Sequence, residues 1–234
     1  MSFSPRRLYL ILGDQLDHDS SLLREMDPVQ DLIWMAEVAE EGDYVWSHKL
    51  RLAFFFAAMR HFRDHLRERG FRVHYTELPA DPAADRGRGL RELLALDLGA
   101  FEPDEVVLVE AGDHRVRGLL KGACEEAAVP LRLLADTHFL LPREDFGTWA
   151  KGRKSFLLEH FYRMMRKRTG ILMDEEGQPE GGTWNFDHDN REAFGRAGPP
   201  PLPDFGCYPA DAITAEGVAM VNERYSSHPL RMEQ

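Results

Sequence analysis

The sequence is poor in cysteine and in positive charge. Cys124 and Cys207 are the two cysteines among 234 residues, and they are not in C-x-x-C spacing. The sequence therefore predicts neither a disulfide framework nor a zinc or iron–sulfur site. Lys and Arg number 29 against 40 Asp and Glu, a formal net charge of -11. This balance argues against a protein that binds nucleic acid over its whole surface, although it permits a local basic patch.

Three common nucleotide and hydrolase motifs are also missing. The sequence has no G-x-G-x-x-G after its first apolar run, no G-x-x-x-x-G-K-[ST] loop and no G-x-S-x-G nucleophile elbow. It also has no apolar signal region or spanning segment before the first predicted strand, which predicts a cytoplasmic protein without a membrane contact.

The stretch Leu8–Leu16, LYLILGDQL, organises the chain. Its five apolar residues run into Gly13, Asp14 and Gln15 and then stop. A continuous apolar run that ends at a turn residue is typical of a strand buried on both faces of a parallel sheet. Ligands collect at the carboxyl edge of such sheets, so we expect a ligand there.

Strands and helices alternate along residues 1–137, which predicts an α/β fold with a five-stranded parallel, Rossmann-like sheet in the order 3-2-1-4-5. The later strands are predicted at Leu32–Glu37, Phe71–Leu78, Glu105–Glu110 and Leu131–Ala135, and the helices at Val45–Arg69, Leu90–Leu98 and Arg115–Ala128. In the long helix, Leu52, Phe55, Met59, Phe62 and Leu66 recur at helical spacing and predict a buried stripe. Val38–Tyr44 is expected to be a polar loop.

Residues 138–234 are predicted to form a helical and irregular C-terminal extension that includes an interdomain linker. Helices are expected at Arg143–Ala150, Lys154–Arg168 and Ala210–Arg224. Between the last two lies a long stretch rich in Gly, Pro, Asn and Asp with an aromatic island at Trp184–Phe186. A long irregular stretch of this kind is usually functional or a linker.

Asp14, Glu37 and Glu110 stand at the predicted ends of three strands and so at one edge of the sheet. The loop Val38–His48 adds Glu41 and His48 nearby. An aromatic heterocycle suits apolar helix walls with carboxylates that accept from its polar groups. The alternatives are that Asp14 caps a turn, that the glutamates are solvated and that His48 caps or pairs locally.

Other polar clusters have simpler interpretations. Asp17-His18-Asp19 and Asp187-His188-Asp189 are better explained as surface loops than as metal sites, since adjacent residues rarely converge on one ion. A basic run could hold phosphates or an acidic partner, or pair with the chain's own carboxylates. It comprises Lys151, Arg153, Lys154, Arg163, Arg166, Lys167 and Arg168. For the Trp184 island, docking is favoured over chemistry.

Four long stretches together resemble the deoxyribodipyrimidine photolyase-related proteins, the bacterial (6-4) photolyase and cryptochrome class that carries an iron–sulfur cluster. They are LILGDQL, AEVAEEGDYVWSHKLRLAFFFAAMRHF, GRKSFLLEHFYRMMRKRTGILM and GGTWNFDHDNR, in this order. The resemblance covers most of residues 7–224. It implies an N-terminal antenna domain that binds 6,7-dimethyl-8-ribityllumazine and passes excitation to FAD in a C-terminal helical domain.

The same resemblance implies the residues that contact the lumazine. They are Gly13, Asp14, Gln15, Leu16, Glu41, Leu52, Phe55 and, placed by its strand end, Glu110. Phe55 would either stack on the ligand or fill its space. FAD, the 4Fe-4S cluster and DNA binding are expected of the C-terminal photolyase domain. They are not expected of this chain, either as a truncation or as a natural short form, so we expect no catalytic residue here.

Two rival hypotheses come from other classes. One is a small enzyme that uses Glu41 and His48 as an acid–base pair. The other is a chromophore-free scaffold whose basic helix and Trp184 island dock a helical partner or DNA. Chromophore binding, substrate turnover and partner capture distinguish the three.

Overall fold

The chain folds into two units in a computed structural model, which describes residues 4–187, 193–196, 198–203, 206 and 208–230. The first unit comprises Met1–His138 and Pro209–Gln234, and the second comprises Phe139–Tyr208. The domain boundary predicted after residue 137 is one residue before the end of the first segment at His138. Residues 209–234, which were predicted to belong to the C-terminal extension, are part of the first unit.

The first unit is built on a five-stranded parallel sheet in the order 3-2-1-4-5, which confirms the predicted fold class. Its strands are β1 (Arg7–Leu10), β2 (Leu32–Ala36), β3 (Val73–Thr76), β4 (Glu105–Val109) and β5 (Leu131–Leu134). Leu8 of the central strand lies opposite Leu32 on one side and Val106 on the other. The strands β2 to β5 are each shorter than predicted, although the Glu37 and Glu110 amides after β2 and β4 still donate to the neighbouring strand at 2.9 Å.

Eight helices are described. They are α1 (Ser21–Glu25), α2 (Glu40–Asp43), α3 (Lys49–Glu68), α4 (Leu90–Phe101), α5 (His114–Glu126), α6 (Arg143–Ala150), α7 (Leu158–Thr169) and α8 (Ala212–Arg224). The long helix α3 begins at Lys49 rather than Val45, because His48 has extended backbone and its Nδ1 accepts from the Leu50 amide at 3.2 Å. The predicted loop at Val38–Tyr44 contains α2, and α7 begins at Leu158 rather than Lys154.

Helices cover both faces of the sheet. Tyr9, Ile33 and Met35 pack on the side of α3, whereas Leu8 and Trp34 pack on the side of α4 and α5. This double burial explains the continuous apolar runs of the inner strands β1, β2 and β4. The predicted stripe of α3 is buried except at Phe55, which is half-buried, while the adjacent Phe56 is fully buried.

One buried polar network joins the sheet to α4. The indole of Trp34 donates to Asp97 at 2.8 Å, and His74 and Arg86 contact the same carboxylate at 3.1 and 2.8 Å. Burial would raise the pKa of Asp97, but hydrogen bonds from His74, Arg86 and Trp34 outweigh it and lower the pKa to about 2.

The ionised Asp97 carboxylate contributes to the free energy of unfolding, and we expect Asp97→Asn to reduce the loss of this free energy as the pH falls. The folded pKa lies below the unfolded one, so this contribution is complete above about pH 4 and is lost as the pH falls toward 2. It amounts to about 2 kcal/mol. Urea unfolding at about pH 5 and at about pH 2 measures it, and an equal loss in wild type and variant would contradict the assignment.

The helix α8 packs along α3. Gly217 faces Ala53 and Ala57, since a Cβ atom on Gly217 would lie 3.8 Å from the Ala53 carbonyl oxygen, and Val221 is fully buried. We call residues 212–230, which comprise α8 and the segment after it, the C-terminal strap. The strap thus completes one side of the apolar core.

In the second unit, the aromatic island and the basic run meet. Cationic groups of Arg163, Arg166 and Lys167 lie 5.5, 5.3 and 5.4 Å from the ring centroid of Trp184. These cation–π contacts bury part of Trp184 within the unit. Two clusters that are separate in the sequence are therefore one cluster in the structure. Within the described ranges, no helix is long and apolar enough to cross a membrane.

Candidate functional site

The predicted ligand edge lies where β1 and β4 end. The chain leaves β1 toward β2 on one side and later places β4 on the other, so this pair forms the switch point of the sheet. Gln15 spans it, because its Nε2 donates to the Val109 carbonyl at 3.0 Å. The Oε1 of Gln15 is buried and has no hydrogen-bond partner among the described residues. A buried amide oxygen without a donor is a position that a ligand or a water molecule can satisfy.

Asp14 belongs to a group of carboxylates at this edge. Its side chain is exposed, yet the surrounding protein displaces water and raises its pKa, and the charges of Asp113 and Asp136 add to the rise. The edge is therefore locally acidic, as the sequence predicts.

Glu41 reaches the same group from α2. Partial burial raises its pKa, Arg51 and Arg115 lower it, and Asp14 and Asp113 raise it further. Its Oε1 lies 3.5 Å from an Arg51 guanidinium nitrogen. The structure thus brings together Asp14 and Glu41, which are 27 positions apart, at one electrostatic site.

Tyr44 and Arg115 complete the group, and the sequence did not predict this pairing. The Arg115 guanidinium lies 4.1 Å from the ring centroid of Tyr44 and 3.6 Å from the Asp113 carboxylate. Its Nε is buried without a partner among the described residues. The signal that could have indicated Arg115 is its place in the first turn of the helix after β4.

Phe55 occupies the space directly beside Gly13. A Cβ atom on Gly13 would lie 2.3 Å from Phe55 Cζ and 2.8 Å from Met59 Sδ. Since real Cβ atoms essentially never approach so closely, the side chains of Phe55 and Met59 would have to shift to admit any other residue here. Phe55 therefore fills the space at the glycine itself. The residue is only half-buried, so part of its surface stays accessible at this edge.

We expect Gly13→Ala to destabilise the protein by about 1–3 kcal/mol, because it overpacks this contact. Gly112→Ala is the matched control, since nothing lies within 4 Å of its Cβ position. Urea unfolding of both variants measures the difference. Equal stabilities would show that Phe55 moves away freely.

The other predicted residues have different surroundings. Leu52 is fully buried in the core, and Leu16 is partly buried and packs against the same core. Both therefore belong to the apolar packing beneath the site. Glu110 forms an ion pair with Arg117 at 2.7 Å. Glu37, which the sequence placed at the same edge, is buried and receives two hydrogen bonds from Arg60 at 2.7 and 2.8 Å. It is a structural carboxylate.

Several of the other polar side chains that the sequence singles out have local partners. His48 is engaged as the cap of α3, and Glu41 pairs with Arg51. His18 packs its ring on Phe62 and His65. Within the described part of the chain, no three His, Cys, Asp or Glu side chains converge as metal ligands. His188 and Asp189 lie outside the described residues.

Two cavities lie away from the predicted residues. One of about 470 Å³ lies between α4 and α5, and one of about 490 Å³ is lined by Asp43, Asp85 and Arg224, among others. Neither is lined by a predicted site residue. At the candidate site Asp14 is exposed and Phe55 is half-buried, so this edge is open to solvent.

A family model and a curated relative indicate one family for this chain. The family model described as deoxyribodipyrimidine photo-lyase-related protein matches residues 9–234. A (6-4) photolyase of Agrobacterium fabrum is 39% identical over 229 residues, which are 97% of this chain and 44% of the relative. An uncharacterized protein of Acanthamoeba polyphaga mimivirus is 24% identical over 196 residues, 81% of this chain and 95% of that protein. This chain thus spans under half the length of the photolyase. It belongs to the deoxyribodipyrimidine photo-lyase-related protein family.

Proposed function

We propose that the first unit is an antenna domain that binds 6,7-dimethyl-8-ribityllumazine at the carboxyl edge of β1. The observation that carries the proposal is that Asp14 and Glu41 interact electrostatically at this edge, where Gln15 has a buried Oε1 without a partner among the described residues and the partly exposed ring of Phe55 lies beside Gly13. A flat heterocycle with a polyhydroxyl side chain needs an aromatic surface and several acceptors, and this edge offers both.

The residues present fit such a group. The unpaired Gln15 Oε1 is an acceptor for a ring N–H or a hydroxyl, and the carboxylates of Asp14 and Glu41 accept in the same way. When bound, the lumazine supplies absorption in the near-UV and blue and transfers excitation energy. The chain's residues bind it and orient it. Phe55 already fills the space at Gly13, so we expect the ring system against the accessible part of Phe55.

We propose that excitation passes to a flavin in a photolyase-like C-terminal domain. FAD, a 4Fe-4S cluster and DNA contacts would belong to that domain, which corresponds to the part of the photolyase that this chain does not match. Repair of a pyrimidine photoproduct needs an electron donor, and such chemistry is the work of a cofactor. This chain's part is light harvesting.

The proposal is tested by fluorescence titration of the purified chain with the lumazine. We expect saturable binding with a shifted near-UV band, and we expect Glu41→Ala to weaken it about tenfold or more, because a hydrogen bond to a charged group contributes about 1.5–3 kcal/mol. Glu68→Ala, at the exposed far end of α3, is the matched control and should bind like wild type.

Two outcomes would overturn the proposal. One is that wild type shows no saturable binding and only aromatic absorption after reconstitution. The other is that Glu41→Ala and Glu68→Ala bind with equal affinity, which would place the ligand elsewhere.

A further inference from the structure

The short helix α2 depends on residues that lie far away in the sequence. It has four residues and no side-chain cap, and a helix of one turn is not stable by itself. The ring of Tyr225 lies directly against Gly42, because a Cβ atom on Gly42 would be only 2.4 Å from Tyr225 Cε1. The Tyr225 hydroxyl donates to the Ala39 carbonyl at 3.4 Å. Tyr225 thus fixes the helix that carries Glu41.

The next residues of the C-terminal strap reach the start of α3. His228 Nδ1 donates to the Ser47 carbonyl at 2.8 Å, and its ring packs edge-on against Tyr225 at 5.0 Å. The Pro229 carbonyl accepts from the Lys49 amide at 3.2 Å. This bond satisfies one of the amides that the first turn of a helix leaves unpaired. The strap therefore contacts both elements that border the candidate site.

A chain of polar contacts continues from the strap to Glu41. The hydroxyl of Ser47 accepts from Arg51 Nη1 at 2.7 Å, and Arg51 Nη2 lies 3.5 Å from Glu41 Oε1. Ser47 is buried, so its orientation is set by its neighbours. His228 on one side and Arg51 on the other hold it, and Arg51 in turn faces Glu41.

We propose that the C-terminal strap positions the ligand-binding carboxylate, with Tyr225 and His228 as positioning residues that act on Glu41 through α2 and through Ser47 and Arg51. This inference rests on the proposed function, because the role of Glu41 as a ligand-binding carboxylate is part of that proposal. It makes the affinity of the site depend on residues of the last helix and the segment after it, outside the predicted antenna domain.

The pH dependence of binding gives a readout that general destabilisation would not produce. Arg51 from α3 and Arg115 from α5 favour the ionised form of Glu41, while Asp14 and Asp113 oppose it. A loosened Arg51 leaves the opposing charges in place, so the pKa of Glu41 rises further above its ordinary value. Binding that needs the carboxylate is then lost at a higher pH in the variant than in wild type.

Hydrogen–deuterium exchange of the full chain tests the contacts without any ligand. We expect Gly42→Ala and His228→Ala to accelerate amide exchange in residues 39–52 about tenfold, although alanine is the better helix former. Gly99→Ala in α4 is the matched control, since nothing lies within 4 Å of its Cβ position. Tyr225→Phe keeps the ring but removes the hydroxyl bond to the Ala39 carbonyl, so it should accelerate exchange less than Gly42→Ala. Unchanged exchange in both Gly42→Ala and His228→Ala would overturn the proposal.

Titration with 6,7-dimethyl-8-ribityllumazine then tests the link to the site. We expect His228→Ala to bind about tenfold more weakly and to lose binding at a higher pH, with Glu41→Gln removing the shift. Weaker binding with an unmoved pH profile would overturn the positioning role. If wild type does not bind lumazine but exchange increases as expected, the proposed function fails while the strap contacts are supported.

Discussion

Glu37→Ala is expected to destabilise the protein by about 3–5 kcal/mol, because it leaves a buried guanidinium without its partner. Arg60 is 4% exposed and Glu37 1%. The carboxylate accepts two hydrogen bonds from Arg60, one from the Tyr75 hydroxyl at 2.6 Å and one from the Leu78 amide at 2.9 Å. Its removal leaves all of these donors without their acceptor at once.

Chemical unfolding of Glu37→Ala measures this loss. Asp19→Ala is the control, since it breaks the exposed ion pair between Asp19 and Arg24, and it should cost less than about 1 kcal/mol. Glu37→Gln keeps the shape and part of the hydrogen bonding and should fall between the two. A cost for Glu37→Ala as small as that of the control would mean that water or a rearranged partner satisfies Arg60.

Removal of residues 209–234 is expected to cost most of the stability of the first unit. The deletion takes Met220, Val221 and Tyr225 out of the core, and each fully buried side chain of this size contributes about 1.5–3 kcal/mol. It also removes the partly buried ion pair between Arg224 and Asp85, with oxygen–nitrogen distances of 2.7 and 2.8 Å. The total approaches the roughly 5–15 kcal/mol by which domains are stable.

Thermal melting followed by circular dichroism tests the deletion. A chain that ends at Leu230 keeps every described contact of the C-terminal strap and is the matched control. We expect it to melt cooperatively near the wild-type temperature, while the longer deletion melts far lower or without a cooperative transition. Equal melting temperatures would show that the sheet and its first five helices are sufficient.

The sheet could be predicted because burial on both faces leaves a clear pattern. The inner strands β1, β2 and β4 each carry a short apolar run, and the intervening helices favour parallel pairing. The helix α2 could not be predicted, because its stability comes from Tyr225, a residue far along the chain. The helix α3 begins later than predicted, since the apolar Val45 and Trp46 resemble helix residues and the His48 cap has no strong sequence signal.

The site was predictable in outline and less so in detail. Gly13 and Glu41 were indicated by turn chemistry and family resemblance, and both lie at the carboxyl edge of the sheet. Glu37 was predicted at the same ligand edge, because the sequence does not distinguish a strand-end carboxylate that faces solvent from one that binds a buried arginine. Arg60 lies on the buried side of α3, where a sequence pattern favours apolar residues. Lumazine binding itself stays a prediction.

The packing of α8 on α3 has a consequence for synthesis of the protein. The sheet and α3 are complete once residue 134 has been made, but the apolar face of α3 that α8 covers has no cover until residues 212–225 follow. During translation this face is exposed while the whole second unit is being added, and exposed apolar surface favours aggregation. We therefore expect chaperone dependence to be greatest for nascent chains that end between these two points.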